Sequence, residues 1–241
     1  MRGLGTIINV AAILLGGLLS VVLRKRISDS MQDTLTKVCG VSSGFIGVAG
    51  VITQMITVKD GKIASADQAL MLTVGLATGA LIGELLHLDD LLERFGDWLK
   101  KKTGNSGDAR FTEGFVTCSL TVCVGAMAII GSIEDGIHGD WSILGAKSVL
   151  DCIIVMILTV PMGKGCVFSA IPVAIVQGLM TLLAVVIAPV FTEPTLNAIS
   201  LVGSAMITCV GINLIFGKTI KVANLLPALV TAVLFRALGW M

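Results

Sequence analysis

Residues 116–151, VTCSLTVCVGAMAIIGSIEDGIHGDWSILGAKSVLD, interrupt a very apolar chain with a dense group of polar and ionisable side chains. The stretch begins as an apolar segment carrying hydroxyls and thiols, passes through a glycine-rich acidic turn, and enters a second apolar segment carrying Lys147 and Asp151. Ionisable residues in or beside membrane segments are costly, and their default interpretation is functional. The stretch therefore indicates a membrane protein and the region where its function lies.

The composition identifies a polytopic membrane protein. Of the 241 residues, 55% are hydrophobic and 14% are charged, and the mean hydropathy is +0.95. Soluble domains contain about 25% charged residues. The net charge of +1, with basic residues clustered in loops, gives no indication of a nucleic-acid partner. The six cysteines and two histidines have no disulfide or metal-ligand spacing, so we expect no metal and no cofactor.

The hydropathy pattern predicts an all-α fold with a single transmembrane domain over residues 1–241. A bilayer core of ~30 Å needs about 20 apolar residues per helix. Eight stretches meet this requirement, at residues 4–23, 38–56, 68–87, 114–133, 143–162, 165–190, 196–217 and 222–240. These stretches account for most of the chain and leave no room for a separate soluble domain.

The loop charges predict the orientation of these spans. Lysines and arginines cluster after spans 1, 3, 5 and 7, whereas the alternate loops are poor in uncompensated basic residues. Because cytoplasmic loops carry the excess of basic residues, both termini are expected to be extracytoplasmic. Two cytoplasmic linkers, residues 24–38 and 88–102, have the apolar spacing of amphipathic helices that lie on a membrane. They serve either as simple connectors or as sensors of lipid or a partner.

Internal similarity predicts inverted repeats. SGFIGVAGVI at residues 43–52, LTVCVGAMAII at 120–130 and MITCVGINLI at 206–215 share a glycine-centred apolar pattern, and the charge alternation gives the third the opposite orientation. In span 3, Gly75, Gly79 and Gly83 form a stripe of small residues that allows close helix packing. The stripe indicates either packing within the chain or a homodimer interface, and we expect a homodimer.

Span 4 carries hydroxyls that have two interpretations. Ser119 and Thr121 can bond back to their own helix, or they can line a pathway. In the second interpretation the helix breaks near residues 125–136, where Gly125 and two later glycines free backbone groups to bind an ion or solute. The acidic turn with Ser132, Glu134 and Asp135 then stands at the outer mouth of a cavity. If span 4 is a plain helix that ends at Ile133, the acids are solvated loop residues.

Lys147 and Asp151 share one face of span 5, because they are four residues apart. Asp151 is expected near mid-bilayer, ~13 Å along the helix from Ser142 at 1.5 Å per residue. It is therefore either paired with Lys147 or a protonatable group coupled to transport. In spans 7 and 8, Asn213 and Asn224 are polar contacts for a substrate or for a neighbouring helix.

The run CVGAMAIIGSIEDGI at residues 123–137, the spacing from Lys147 to Asp151, and VANLLPALV at residues 222–230 resemble one bacterial membrane-protein family. It is the family catalogued as domain of unknown function 554, and the similarity covers essentially the whole chain. The resemblance implies a multi-pass protein of the bacterial inner membrane. It implies no substrate, so the function must be inferred from the residues.

Together these patterns predict a secondary transporter or permease for a small solute or ion. Its expected pathway residues are Ser119, Thr121, Gly125, Ser132, Glu134, Asp135, Lys147, Asp151, Asn213 and Asn224. The alternative is a membrane scaffold or sensor that acts through its amphipathic cytoplasmic helices without transport. An intramembrane enzyme is disfavoured, because the chain has no HExxH motif and no large extramembrane domain.

Overall fold

A computed structural model describes residues 2–24, 28–59, 62–64, 68–123 and 125–237. Most of these residues are helical, which confirms the predicted all-α membrane fold. The α-helices are α1 (Leu4–Arg24), α2 (Asp29–Met55), α3 (Gln68–Leu86), α4 (Leu88–Lys102), α5 (Phe111–Cys123), α6 (Ala126–His138), α7 (Ser142–Met162), α8 (Ala170–Leu182), α9 (Ala184–Ile187), α10 (Glu193–Phe216) and α11 (Pro227–Ala237). Shorter 3₁₀-helices lie at Lys164–Ser169, Ala188–Val190 and Val222–Leu225, and two strands, β1 (Thr57–Lys59) and β2 (Lys62–Ala64), form an antiparallel hairpin.

The predicted count of eight spans is not confirmed. Among the described residues, six helices are long and apolar enough to cross a membrane, and the bent pair α5–α6 raises the number to seven. The predicted eighth span is a shorter apolar segment, Val222–Arg236, and residues 238–240 lie outside the described residues. At 1.5 Å per residue this segment is shorter than a ~30 Å hydrocarbon core.

One of the two predicted linker helices is separate, and the other is not. The linker at residues 88–102 forms α4, whose last turn carries Lys100, Lys101 and Lys102. The linker at residues 24–38 was expected to be a helix of its own, and this prediction is wrong from Asp29 onward. There the chain enters α2 and continues without interruption to Met55. No proline or other break separates the amphipathic part from the apolar part, so one helix propagates through both.

The chain folds as two compact units. The first unit contains residues 1–39 and 90–188, and the second contains residues 40–89 and 189–241. The first unit therefore holds α1, α5, α6, α7, α8 and most of α4. The second holds α3, α10, α11 and the larger part of α2. The prediction of a single transmembrane domain stays a prediction.

In the first unit, α1 lies directly against α7. A Cβ added at Gly16 would stand 2.6 Å from the backbone oxygen of Cys152, so the two backbones are in close contact. The 3₁₀-helix Lys164–Ser169 packs equally closely on α5, because a Cβ at Gly165 would stand 1.8 Å from the backbone oxygen of Phe111. Small residues thus bring helices together in lipid, where apolar burial alone drives little association.

In the second unit, the glycine stripe of α3 packs within the chain. A Cβ at Gly79 would stand 2.4 Å from the backbone nitrogen of Ala228, and one at Gly83 would stand 2.0 Å from the backbone oxygen of Asn224. The third glycine of the stripe, Gly75, faces Thr231. The stripe is therefore covered by α11 and the 3₁₀-helix that precedes it. The homodimer stays a prediction, and this stripe is not free to form its interface.

In the described residues, both units contain a long helix that is followed by a glycine of positive φ, a 3₁₀-helix and a further α-helix. In the first, α7 is followed by Gly163, which has φ 92°, then by a 3₁₀-helix and α8. In the second, α10 is followed by Gly217, which has φ 83°, and a 3₁₀-helix leads into α11. Positive φ favours glycine, and a lysine follows both glycines. The inverted repeat predicted from spans 2, 4 and 7 stays a prediction.

Candidate functional site

The fourth predicted span is broken close to Gly125. Helix α5 ends at Cys123, α6 begins at Ala126, and the two axes differ by 62°. Gly125 has φ 155° and ψ 149°, a conformation that L side chains rarely adopt. The break was expected over residues 125–136, but Gly131 and Gly136 lie inside the regular helix α6. Non-helical backbone at membrane depth persists only where protein or a wet cavity satisfies it.

Lys147 places its ammonium group at the carboxyl end of α5. Its Nζ donates to the backbone oxygen of Val122 at 2.9 Å and to Oδ2 of Asp151. Both side chains are buried, with relative exposures of 8% for Lys147 and 4% for Asp151. Carbonyls in the last turn of a helix lack partners within the helix and carry the negative end of its dipole. The ammonium therefore compensates the negative charge of the Asp151 carboxylate and the negative end of the α5 dipole.

Asn9 of α1 completes this buried constellation. Its Nδ2 donates to Oδ2 of Asp151 at 2.9 Å, and Asn9 itself is fully buried. Its Oδ1 has no hydrogen-bond partner among the described residues. In the structure, Asp151 is therefore paired with Lys147 and also accepts a hydrogen bond from Asn9.

The two acids of the predicted turn belong to a helix and have different surroundings. Helix α6 ends at His138 and is capped by Gly139, so the expectation of a loop at Glu134 and Asp135 is wrong. Asp135 is fully buried and accepts hydrogen bonds from the amides of Gly3 at 3.1 Å and Gly5 at 3.0 Å. A carboxylate there caps the amino terminus of α1 and complements its dipole.

Glu134 does not join this buried group. Its Oε2 lies 2.7 Å from Nδ1 of His138, one turn later on α6, and both side chains are substantially exposed. The same helix therefore carries one acid that anchors α1 and one that faces the surroundings. Glu134 and Asp135 have different surroundings because adjacent residues of a helix point about 100° apart.

The predicted pathway hydroxyls bond to their own helices. Oγ of Ser119 donates to the carbonyl of Phe115 at 2.6 Å, and Oγ1 of Thr121 donates to the carbonyl of Thr117 at 2.8 Å. Ser132 does the same one turn back on α6. This is the ordinary behaviour of serine and threonine inside helices. The oxygens still keep acceptor capacity, because each hydroxyl has donated only its single hydrogen.

Asn213 and Asn224 belong to the second unit, where both amides have local partners. Asn213 holds the segment after α10, accepting from the amide of Ile220 at 2.9 Å and donating to its carbonyl at 2.7 Å. Asn224 donates to Oε2 of Glu84 at 2.6 Å and accepts from the amide of Asp89 at 2.8 Å. Their geometry is that of structural amides within this unit.

Polar side chains that the sequence interpretation did not select are buried in the first unit. Gln177 of α8 is 1% exposed, and neither atom of its amide has a hydrogen-bond partner among the described residues. The same holds for buried polar side-chain atoms of Thr6, Asn9, Ser20 and Thr181. An unpaired buried polar atom costs about 1–3 kcal/mol, so a water or solute partner is favoured there.

A sequence signal for these residues exists. Thr6, Asn9 and Ser20 lie on one helical stripe of α1 with the buried Ile13, because their spacings are close to multiples of 3.6 residues. Single polar residues on one face of an apolar helix are the pattern that marks a functional face in a membrane protein.

A polar cavity of about 520 Å³ also lies in the first unit. Its charged lining comes from Asp29, Asp108, Arg110 and Lys164. Asp108 accepts from the backbone amides of Arg110 and Lys164, each at 3.3 Å, and the guanidinium of Arg110 donates to the carbonyl of Pro161 at 3.2 Å. The cavity therefore offers both charge signs beside the end of α7.

Comparison of the sequence with known proteins identifies a family of membrane proteins. A family model described as "Protein of unknown function (DUF554)" matches residues 4–237. The chain belongs to this family. Among its DUF554 relatives, the uncharacterized membrane protein YdfK of Bacillus subtilis is 30% identical over 225 residues, covering 93% of this chain and 92% of the relative.

A second relative is the uncharacterized protein YqgA of Escherichia coli. It is 28% identical over 233 residues, covering 95% of this chain and 94% of the relative. No solved structure matches the chain. This DUF554 chain is thus a membrane protein of an uncharacterized family.

Proposed function

We propose that the protein is a secondary transporter or permease for a small solute or ion, with its pathway in the first unit beside the break at Gly125. It acts without catalysis. The observation that carries this proposal is the buried Lys147–Asp151 pair at the carboxyl end of the interrupted helix α5. Broken helices with charged partners at their ends form the binding sites of many secondary transporters.

The unpartnered polar groups of α1 and α8 support this proposal. Asn9, which contacts Asp151, and Gln177 are both buried with amide atoms that have no partner in the described part of the chain. A protein that used its core only for stability would gain from replacing such groups with apolar ones. A solute with hydrogen-bonding groups, or the water that accompanies an ion, would satisfy them during passage.

The polar cavity supplies an entrance in this proposal. Lys164 and Arg110 line it. Arg110 precedes predicted span 4 and Lys164 follows predicted span 5, and the basic-residue rule assigns both loops to the cytoplasm. We assign the cavity to the cytoplasmic mouth, the membrane to the bacterial inner membrane, and both termini to the extracytoplasmic side. Lys164→Cys should react with a membrane-impermeant maleimide, beyond the labelling of the wild-type chain with its six native cysteines, only after the inner membrane is opened. Reaction in intact cells contradicts this orientation.

Transport is tested with purified protein in liposomes on a solid-supported membrane. Rapid exchange to a panel of monovalent ions, carboxylates, amino acids and sugars should give a saturable current, or saturable tracer uptake, for one solute class. Asp151→Asn should reduce that flux at least about tenfold, because the pathway loses its charged group. A signal no larger than that of liposomes without protein for every class, or unchanged flux in Asp151→Asn, overturns the proposal.

A matched control is available in the same chain. Asp33 and Lys37 form an Asp–Lys pair of the same spacing, with an Nζ–Oδ2 distance of 2.8 Å, but both side chains are more than half exposed. Asp33→Asn should leave the flux within about twofold of wild type, because an exposed pair contributes little. The flux is expressed per folded, reconstituted molecule, because Asp151→Asn is also expected to destabilise the protein. Equal losses per folded molecule in both variants would reject the pathway.

A scaffold or sensor role is the second candidate, and α4 is the feature that favours it. Leu91, Phe95 and Trp98 are exposed on this helix, Phe95 and Trp98 stack with ring centroids 5.8 Å apart, and the three lysines of its last turn follow directly. Such a face suits an anionic lipid surface. The scaffold role requires that Asp151→Asn has no phenotype in cells while Trp98→Ala does, and the opposite result favours transport.

The proposal includes a homodimer. Since the Gly75–Gly83 stripe is covered within the chain, the subunits would meet through other membrane-facing surfaces. Mass measurement of the protein released from lipid nanodiscs should give twice the chain mass of 25.0 kDa. A mass of one chain at all concentrations rejects the dimer and leaves the pathway unaffected.

A further inference from the structure

The groups that surround the Lys147 ammonium are those that bind cations. Its Nζ contacts a backbone oxygen, that of Val122, and a carboxylate oxygen, that of Asp151. The Val122 oxygen belongs to the last turn of α5, where the helix dipole is negative. Freed carbonyls and helix carboxyl ends are the groups that coordinate Na⁺ in transporters with discontinuous helices.

We propose that the Lys147 ammonium is the resident cation of an alkali-cation site, formed by the Val122 carbonyl, the Asp151 carboxylate and the Asn9 amide. The wild-type protein therefore takes no Na⁺ at this position, and Na⁺ bound at this position does not drive its transport. Removal of the Lys147 side chain opens the site to Na⁺. The statement about transport rests on the proposed function, but the statement about the site does not.

Asn9 is the second, independent observation. It is completely buried beside Asp151, and its Oδ1 has no partner among the described residues. The two amide atoms of an asparagine are assigned from their hydrogen bonds, and a half-turn of the amide exchanges them. In the wild-type protein Nδ2 faces the carboxylate at 2.9 Å. Without the lysine, the same half-turn would present Oδ1 as a further oxygen ligand.

Electrostatics makes occupancy obligatory. The Asp151 side chain is 4% exposed, and a buried carboxylate without a positive partner is strongly disfavoured. Lysine carries a compact point charge, which is closer to an alkali ion than the planar guanidinium of arginine. When Lys147 is shortened to alanine, the space of its side chain is available for a hydrated or partly dehydrated cation. The carboxylate and the end of α5 then attract that cation.

The experiment measures thermal unfolding in detergent of wild type, Lys147→Ala and the double variant Lys147→Ala/Asp151→Asn. Each is measured in choline chloride and with NaCl, KCl or LiCl replacing choline at constant ionic strength. The double variant is the matched control, because it lacks the same side chain but has no carboxylate to compensate. This is a binding measurement, so it gives a result whether or not the protein transports a solute.

Lys147→Ala should gain about 3–6 °C when an alkali cation reaches ten times its Kd, and above the Kd the gain should rise with the logarithm of the cation concentration. Wild type and the double variant should change by less than about 1 °C under the same replacement. If Lys147→Ala is recovered as folded protein only in the presence of Na⁺, K⁺ or Li⁺, the proposal is likewise supported. An equal response in wild type or in the double variant overturns it.

Two further outcomes are decisive. If Lys147→Ala folds but none of the three cations changes its melting temperature more than it changes that of the double variant, the site does not exist. If Lys147→Ala is not recovered in any salt while the double variant is, an external cation cannot replace the ammonium, and the proposal is again rejected. In either case the transport proposal remains to be judged by the Asp151→Asn flux alone.

Discussion

Replacing the two members of the buried Lys147–Asp151 pair, singly and together, gives the sharpest prediction. The side chains are 8% and 4% exposed, so each single replacement leaves one uncompensated charge at a buried position. Breaking such a pair costs about 3–5 kcal/mol. We therefore expect Lys147→Met and Asp151→Asn each to lower the free energy of unfolding by about 3–5 kcal/mol.

The double variant Lys147→Met/Asp151→Asn should cost much less than the sum of the singles. No charge remains buried, and the asparagine can still accept from Asn9, so the main loss is the partner of the Val122 carbonyl. That loss is about 1–3 kcal/mol, against about 6–10 kcal/mol for additive losses. Reversible unfolding by SDS in mixed micelles, followed by tryptophan fluorescence, measures all three values.

Additive losses would refute this reasoning. They would mean that the two charges do not compensate each other and that Lys147 acts only through the end of α5. The surface pair Asp33–Lys37 serves as the control, because both of its side chains are more than half exposed. Asp33→Asn should change the free energy of unfolding by less than about 1 kcal/mol.

Two further predictions concern helix packing in the two units. Asp135→Ala should lower the free energy of unfolding by about 1–3 kcal/mol, because two buried amide contacts at the start of α1 are lost. Glu134→Ala, which removes only an exposed contact, should cost less than about 1 kcal/mol, and equal losses would exclude the capping role. Gly83→Ala should cost about 1–3 kcal/mol, because its Cβ would stand 2.0 Å from the Asn224 oxygen and force α3 away. Gly44→Ala, where a Cβ meets nothing within 4 Å, should be neutral or raise the melting temperature. Equal changes of melting temperature in the two glycine variants would contradict the packing. Thermal unfolding in detergent measures all four.

The membrane character, most helices and the helical linker α4 were predictable from the amino-acid pattern. In lipid a helix satisfies its backbone internally, so about 20 apolar residues are enough to specify a span without knowledge of its neighbours. The amphipathic spacing of residues 88–102 is equally local, and it predicts α4 over the range in which it is found. The pairing of Lys147 with Asp151 also follows from spacing on one helix.

The site was less predictable, because its contacts join distant parts of the chain. Asn9 lies 142 residues from Asp151, and Gly5 lies 130 residues from Asp135. Hydropathy places each residue on a helix but does not specify which helices meet. The acidic turn therefore looked like one polar mouth, whereas packing directed Asp135 to the start of α1 and left Glu134 exposed.

Tertiary structure also located the helix break. Three glycines could have interrupted span 4, and only Gly125 has a backbone conformation that excludes a helix. Gly131 and Gly136 are helical and provide close contacts instead. Gly131 packs against the Leu144 side chain, and Gly136 packs against the backbone oxygen of Thr181. A glycine permits either a break or a close contact, and only the arrangement of neighbouring helices decides which of the two it provides.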